Sequence, residues 1–421
     1  MILAVIAFVV ALAVIASEKI HRTKVAFLGA AVVVLFVGVD YDQELAIEAI
    51  DFNTIGLLAG MMLLVHLTQE TGVYDWIAIK AGQISKGRPF WVVMSLAGTT
   101  AVLSAFLDNL TTILLIVPVT FLLCDTLDIN PVPLVIIEII ASNIGGTATL
   151  IGDPPNIIIA GATDLSFNQF LFNLAPVVFF TFFIVVGLLY MATRKHFQVP
   201  EENRTYIMEM DANSSITNPD ELKRTGTVLV LTIIGFFFHQ FLHIEPATVA
   251  LTGAAVALAV TRQNLEESLS KIEWSTLFFF IALFVMVGAL EETGAIDLVA
   301  DGIKDVTQGN RSAELLGILG VAGIGSGIVD NIPFTTAMIP VVETLNTNDD
   351  DAYWWSLALG ADFGGNMTII AAAANVAGSG LAERAGKPIG FLYFMKFGVP
   401  ITLLTLLIAA GYVTLRYIVG A

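Results

Sequence analysis

Four carboxylic acids, Asp108, Asp153, Asp330 and Asp362, stand in stretches of chain otherwise built from aliphatic, aromatic and small residues. Each keeps company with side-chain amides or hydroxyls: Asn109, Asn143, Thr147, Thr149 and Asn156 in the first half, Asn331, Asn366, Thr368 and Asn375 in the second. Carboxylate, amide and hydroxyl oxygens are the donors a hard cation takes, and the amides add N–H groups that suit an oxyanion. No Lys or Arg lies within 104–112, 142–156, 325–336 or 360–375. The acids are therefore left to bind a cation, carry a proton or cap a helix. Asp108 and Asp330, each followed by Asn, fit either an ion ligand or the cap of a second hairpin arm, and Asp153 before Pro154-Pro155 also fits a turn. A bound cation would take Asp108, Asn143, Asp330 and Asn366.

The chain around them is a membrane chain. Of 421 residues 56% are hydrophobic and 13% charged, with a mean hydropathy of +0.83; soluble domains run near a quarter charged. A soluble enzyme is excluded, and no enzymatic function is expected. The single cysteine, Cys124, excludes an intrachain disulfide and a multi-thiolate metal site. With 19 Lys+Arg against 37 Asp+Glu, there is no basic stripe for nucleic acid.

Apolar stretches bounded by charge fall near 2–16, 25–39, 53–68, 89–124, 131–163, 170–193, 225–242, 247–261, 274–290, 311–342, 353–380 and 391–418. If 89–124 and 311–342 are re-entrant hairpins, about ten transmembrane helices remain, each needing about 20 apolar residues. Loops 17–24, 70–88, 194–224, 262–273 and 381–390 then share one side and hold every Lys and Arg except Lys304, Arg311, Lys396 and Arg416, 19 − 4 = 15. The positive-inside rule makes that side cytoplasmic and both termini extracytoplasmic, in the plasma membrane. The other side collects Asp40, Asp42, Glu44, Glu48, Asp349, Asp350 and Asp351, which read as solvated loops. The first stretch has its basic residues after it rather than before it, and reads as a retained anchor.

The chain repeats itself. Thr71-Gly72-Val73-Tyr74-Asp75 returns as Thr293-Gly294-Ala295-Ile296-Asp297, an offset of 294 − 72 = 222, and Asp108-Asn109 and Pro118 return as Asp330-Asn331 and Pro340 at the same offset. Asn143-Ile144-Gly145-Gly146-Thr147 then aligns with Asp362-Phe363-Gly364-Gly365-Asn366 at 364 − 145 = 219, with Thr368 and Asn375 opposite Thr149 and Asn156. Five crossings separate the starts of the copies, and an odd number turns the second copy upside down. The expected organisation is N-terminal scaffold helices over 1–50, a first repeat over 51–193 (hairpin 89–124, broken helix 131–163), a cytoplasmic linker at 194–224, scaffold helices at 225–262, and a second repeat over 273–418 (hairpin 311–342, broken helix 353–380). The fold class is thus an all-α polytopic membrane protein with two inverted repeats and broken helices.

Such breaks matter because unsatisfied backbone in hydrocarbon costs several kcal/mol, so non-helical chain survives only where protein or a watery cavity surrounds it. Helix ends exposed there bring partial charges to the membrane interior. Gly145, Gly146, Gly364 and Gly365 permit unwound backbone and close approach of a ligand. Pro118 and Pro340 are either part of this or simple kinks. Glu138 is either a proton carrier or a helix-to-helix hydrogen-bond partner, and His239 and His243 read as interfacial residues rather than a metal pair.

The run from Ala141 through Gly145-Gly146-Thr147 and Gly152-Asp153-Pro154-Pro155-Asn156, with Val329-Asp330-Asn331-Ile332-Pro333-Phe334-Thr335, resembles the ion transporter superfamily. The likeness is to the branch of ArsB-type arsenite permeases, NhaD-type sodium/proton antiporters, plant silicic-acid effluxers and the melanosomal P protein. Members like the P protein are closest, through Gly-Asp-Pro-Pro-Asn and Gly364-Gly365-Asn366. The hairpin tips carry Asp-Asn where the superfamily's dicarboxylate carriers have Ser-Asn-Thr signatures, which disfavours dicarboxylates. The resemblance implies a homodimer whose scaffold stays fixed while hairpin tips and broken helices move like an elevator, coupled to Na⁺ or H⁺, with no cofactor beyond that ion. The expected activity is secondary transport of a small inorganic ion, Na⁺/H⁺ antiport first. The alternatives are arsenite, silicic-acid or other oxyanion efflux, and, in another class, a passive channel.

Overall fold

The computed structural model describes residues 1–17, 19–37, 41–201 and 203–420; Asp40, counted above with the acidic loops, lies outside them. Among the described residues the regular structure is helical, with no strand. The chain opens with α1 (Ile2–Ala16), α2 (Arg22–Phe36) and the short α3 (Gln43–Glu48). The first repeat follows as α4 (Phe52–Gln69), α5 (Val73–Ile84), the hairpin arms α6 (Pro89–Ser104) and α7 (Asn109–Leu127), the two halves α8 (Val132–Gly146) and α9 (Pro154–Gly161) of the broken helix, and α10 (Phe167–Thr193). Between the repeats lie α11 (Asn203–Glu209), α12 (Pro219–Phe238), α13 (Pro246–Val260) and α14 (Leu265–Ser270). The second repeat gives α15 (Trp274–Glu292), α16 (Ala295–Thr307), the hairpin arms α17 (Arg311–Ile328) and α18 (Asn331–Leu345), the halves α19 (Ala352–Gly364) and α20 (Ala373–Arg384), and α21 (Phe391–Val413).

Local chemistry sets the boundaries. Asp51 caps α4 by accepting from Asn53 N at 2.8 Å, and Ser166 with Gln169 forms a capping box on α10. α9 begins with two prolines, whose missing N–H groups fall where a helix start has no partner for them. Gly72 and Gly294 precede α5 and α16 with φ of +78° and +71°. The same left-handed turn in both repeats is why Thr-Gly-x-x-Asp recurs.

Among the described residues six helical stretches are long and apolar enough to cross a membrane, Gln43–Gln69, Asn109–Leu127, Phe167–His196, Pro219–Leu242, Trp274–Glu292 and Phe391–Ile418, joined by shorter apolar helices such as Ile2–Ala16 and Pro246–Val260. Large apolar side chains such as Phe172, Phe179 and Phe180 on α10 and Leu407 on α21 are exposed, as a bilayer-facing surface requires.

The packing sorts the helices into two sets. α1, α2 and α15 pack together, α4 packs on α12 and α13, and α15 meets α4. The other set gathers both hairpins, both broken helices, α10 and α21. The stretch 194–224 is more than a connector. Ile207 and Ala212 are buried, and Gln83 Nε2 donates to Met210 O at 2.7 Å, docking this polar segment on α5.

Candidate functional site

The four breaks meet. Asp153, between α8 and α9, is buried and accepts from both hairpin tips: Asn109 Nδ2 at 2.9 Å on one oxygen and Asn331 Nδ2 at 3.0 Å on the other. Asn109 Nδ2 also lies 3.3 Å from Asn143 Oδ1, and Asn143 Nδ2 donates to Asn366 Oδ1 at 3.1 Å and Asn375 Oδ1 at 2.9 Å. One amide network thus ties the first hairpin, the first broken helix and the second broken helix together.

The backbone freed by each break is satisfied twice over in the same way. Asn156 Nδ2 donates to Thr149 O at 2.9 Å and Asn375 Nδ2 to Thr368 O at 2.7 Å. The Thr149 hydroxyl donates to Ala105 O, and that of Thr368 to Gly327 O. Ser104 donates to Ser142 O at 2.7 Å and Ser326 to Ala361 O at 2.6 Å. Every pair obeys the sequence offsets, so the repeat holds to single hydrogen bonds. These bonds answer the need of non-helical chain at membrane depth. The glycines serve the same packing. A Cβ on Gly145 would strike the Ala101 carbonyl of α6, and one on Gly364 the Gly323 carbonyl of α17. At these two glycines the close approach is of chain to chain.

Charge breaks the symmetry. Asp362 stands where the first repeat has Asn143 (362 − 143 = 219), and Asp153 where the second has Ala372 (372 − 153 = 219). Asp362 is fully buried, and neither of its carboxylate oxygens has a hydrogen-bond partner among the described residues. Thr147 and Asn156 sit beside it, and Asn156 Oδ1 and Asn366 Nδ2 are likewise unpartnered. Asp153 and Asp362 are close enough to repel each other. Two neighbouring buried carboxylates without a basic group bonded to them need a proton or a cation.

Asp108 and Asp330 lie at the hairpin tips, as caps. Asp108 accepts from Thr111 N at 2.8 Å and Thr111 Oγ1 at 2.5 Å, and Asp330 from Ile332 N at 2.9 Å. Of the set Asp108, Asn143, Asp330 and Asn366, the structure joins Asn143 to Asn366 and leaves the two caps at the flanks. Asp330 also corrects the reading of acids without a basic partner: Arg22 Nη1, from the first turn of α2, lies 3.4 Å from Asp330 Oδ2. Arg22 was counted with a cytoplasmic loop because no one-dimensional pattern places α2 beside a hairpin 308 residues away. Glu138, on α8, accepts from Thr120 Oγ1 at 2.6 Å and has its second oxygen unpartnered. His239 is buried, accepting from Phe167 N at 3.2 Å with Nδ1 3.0 Å from Ile244 O, while His243 is exposed, so neither forms a metal pair.

Two helical repeats whose broken elements enclose a polar centre within an apolar bundle define a membrane transporter. Residues 12–360 match the CitMHS family of citrate transporters, and the chain belongs to that family. An uncharacterized transporter of Mycobacterium tuberculosis is 43% identical over 425 residues, covering 99% of both chains. The human P protein is 32% identical over 492 residues, which is 97% of this chain and 59% of that protein. The fold is that of the Alcanivorax borkumensis YdaH transporter, whose crystal structure was described as having an unusual topology, with a TM-score of 0.62, 15% identity, and coverage of 89% of this chain and 88% of that one.

Proposed function

We propose that the protein is a secondary active transporter of the plasma membrane that exchanges Na⁺ for H⁺ by an elevator-type movement, both termini being extracytoplasmic. One observation carries this reading: Asp153 and Asp362, one from each broken helix, are both buried and within electrostatic reach of each other, and neither oxygen of Asp362 makes a hydrogen bond among the described residues. Deprotonated, the pair offers a dehydrated sodium ion the Asp362 carboxylate, Asn156 Oδ1 and the Thr147 hydroxyl. Protonated, it has no charge left to hold the ion. Competition between the two occupants is what exchange requires, and each neutralises a site whose burial as a bare charge costs about 2.5–3.5 kcal/mol per acid.

In this scheme α1, α2, α4, α12, α13 and α15 form the scaffold, through which a homodimer would assemble, and the hairpins and broken helices form the moving body. No cofactor is needed beyond the coupling ion. The family's name points to citrate, but two buried carboxylates with no Lys or Arg hydrogen-bonded to them are a poor receptor for a free polyanion. Proteoliposomes loaded with a pH dye and given ²²Na⁺ gradients test the proposal. Sodium-driven proton movement that is absent in Asp362→Asn supports it. Citrate or arsenite flux without sodium–proton coupling, or an ion current indifferent to an opposing gradient, overturns it.

A further inference from the structure

The exchange scheme leaves Arg22 without a role, yet its placement is specific. α2 packs on α1 and α15, and Thr23 Oγ1 donates to Ser275 O at 2.8 Å, which fixes the start of α2 on the start of α15. The guanidinium lies over the Phe279 ring, 5.1 Å from its centroid, and within electrostatic reach of Glu273. From this seat it reaches Asp330 at 3.4 Å, where the Arg22 side chain is 23% and that of Asp330 7% exposed. Among the described residues the other ion pairs, His66–Glu70 and Arg311–Asp350, each stay within one set of helices, so Arg22–Asp330 is the pair that joins the two.

The repeat supplies a comparison inside the same molecule. α13 packs on α4 as α2 packs on α15. At the start of α13 stand Glu245 and Pro246, so the opposite face has an acid in the neighbourhood where α2 carries Arg22. The packing is one-sided as well: α18 and α9 rest on α15 and α4, contacts that their counterparts α7 and α20 do not match.

We propose that Arg22 is a tethered counter-cation that holds the second hairpin tip against the scaffold while the ion site is empty and lets go when the site is loaded. The inference rests on the exchange reading for what loads the site. Asp153, whose carboxylate is bonded to the neighbouring Asn331, lies within electrostatic reach of Asp330. An empty, doubly negative centre therefore strengthens the attraction on Arg22, and a sodium ion or proton weakens it. Holding the empty body and releasing the loaded one is the rule an exchanger needs, because movement of an empty carrier would let ions leak without a countermovement. Arg22 is thus a positioning residue for coupling, not a ligand of the ion.

The test uses the full chain in nanodiscs with Cys124→Ser and spin labels at Ile20→Cys and Ile328→Cys, both exposed positions, one beside each partner. In sodium-free buffer at high pH the distance distribution should be single and short. Arg22→Gln should move it toward a second, longer distance, changing the ratio of the two by about fivefold, the size expected of a partly exposed ion pair, while Arg22→Lys should retain much of the short population. In liposomes Arg22→Gln should raise sodium flux in the absence of a proton gradient. An Arg22→Gln distribution identical to the parent's overturns the tether. If the distances respond while the parent moves neither sodium nor protons, the tether stands and the exchange reading fails.

Discussion

Replacing Asp362 by Asn tests the central charge pair in a way that separates binding from folding. The isosteric amide already occurs at the matching position of the first repeat, where Asn143 is fully bonded, so the shape is tolerated. The substitution removes one of two adjacent buried charges. Burying such a charge near a bilayer centre costs about 2.5–3.5 kcal/mol, so in sodium-free buffer at high pH, where no proton neutralises the pair, the variant should be more stable than the parent by about 2 kcal/mol, seen as a melting point higher by several degrees. The parent should recover that difference when sodium is added, since a ligand at 100 times its dissociation constant stabilises the folded form by about 2.7 kcal/mol. The variant should show no sodium response and no sodium-driven proton movement. Thermal unfolding followed by tryptophan fluorescence across a sodium titration reads the first effect, and dye-loaded liposomes read the second. An Asp362→Asn protein that keeps the parent's sodium stabilisation would refute the assignment of the site, whatever happened to its transport.

Asn156→Ala and Asn375→Ala each strip the donor from break carbonyls and should each destabilise by about 1–3 kcal/mol, but only Asn156→Ala should also lower sodium affinity, because the Asn156 side chain also lies beside Asp362; sodium-dependent melting of both variants checks this. Gly364→Ala places a methyl group against the Gly323 carbonyl and should destabilise by about 1–3 kcal/mol, measured as a lower melting point at unchanged sodium response. The double variant Asn143→Asp/Asp362→Asn keeps the charge count and moves the acid to the other repeat. It should not restore exchange, because residue 143 must donate to the oxygens of Asn366 and Asn375 and a carboxylate cannot; recovery of sodium-driven proton movement in it would mean that charge number alone suffices.

The architecture was legible because the repeat is written in residues with few substitutes. Gly72 and Gly294 must accept a left-handed φ, Asp108 and Asp330 must cap, and Gly145 and Gly364 must let two helices touch. Such constraints survive as letters at a fixed offset. The division of labour among the acids was not legible, since an Asp-Asn pair reads the same whether its carboxylate binds an ion or its own helix start. Asp362 gives no local sign that both its oxygens are unpartnered, and the Arg22 contact depends on how α2 packs against α15, which no spacing encodes. The glycines were legible as necessary, but not that hairpin backbone would occupy the space they leave.

The contrast between what repeats and what does not has a physical reason. Bracing is needed wherever helix is interrupted, so both breaks carry the same Ser, Thr and Asn bonds to the same backbone positions. Each missing bond would leave a buried carbonyl at a cost of about 1–3 kcal/mol. Charge obeys the opposite rule. A second Asp at 143 and a second at 372 would place four carboxylates around one centre, and each further acid adds both its own desolvation and repulsion from the others. In the proposed exchange, one site for one cation would be supplied by one acid from each repeat, set at non-equivalent positions so that they converge. Their non-equivalence gives Asp153 two amide donors, one from each hairpin tip, and leaves Asp362 with none. Asp153 is thereby held by both tips, and in the proposed exchange Asp362 would be the acid whose state changes with the ion. That assignment is why Asp362, rather than Asp153, is the residue at which sodium response and stability should move in opposite directions.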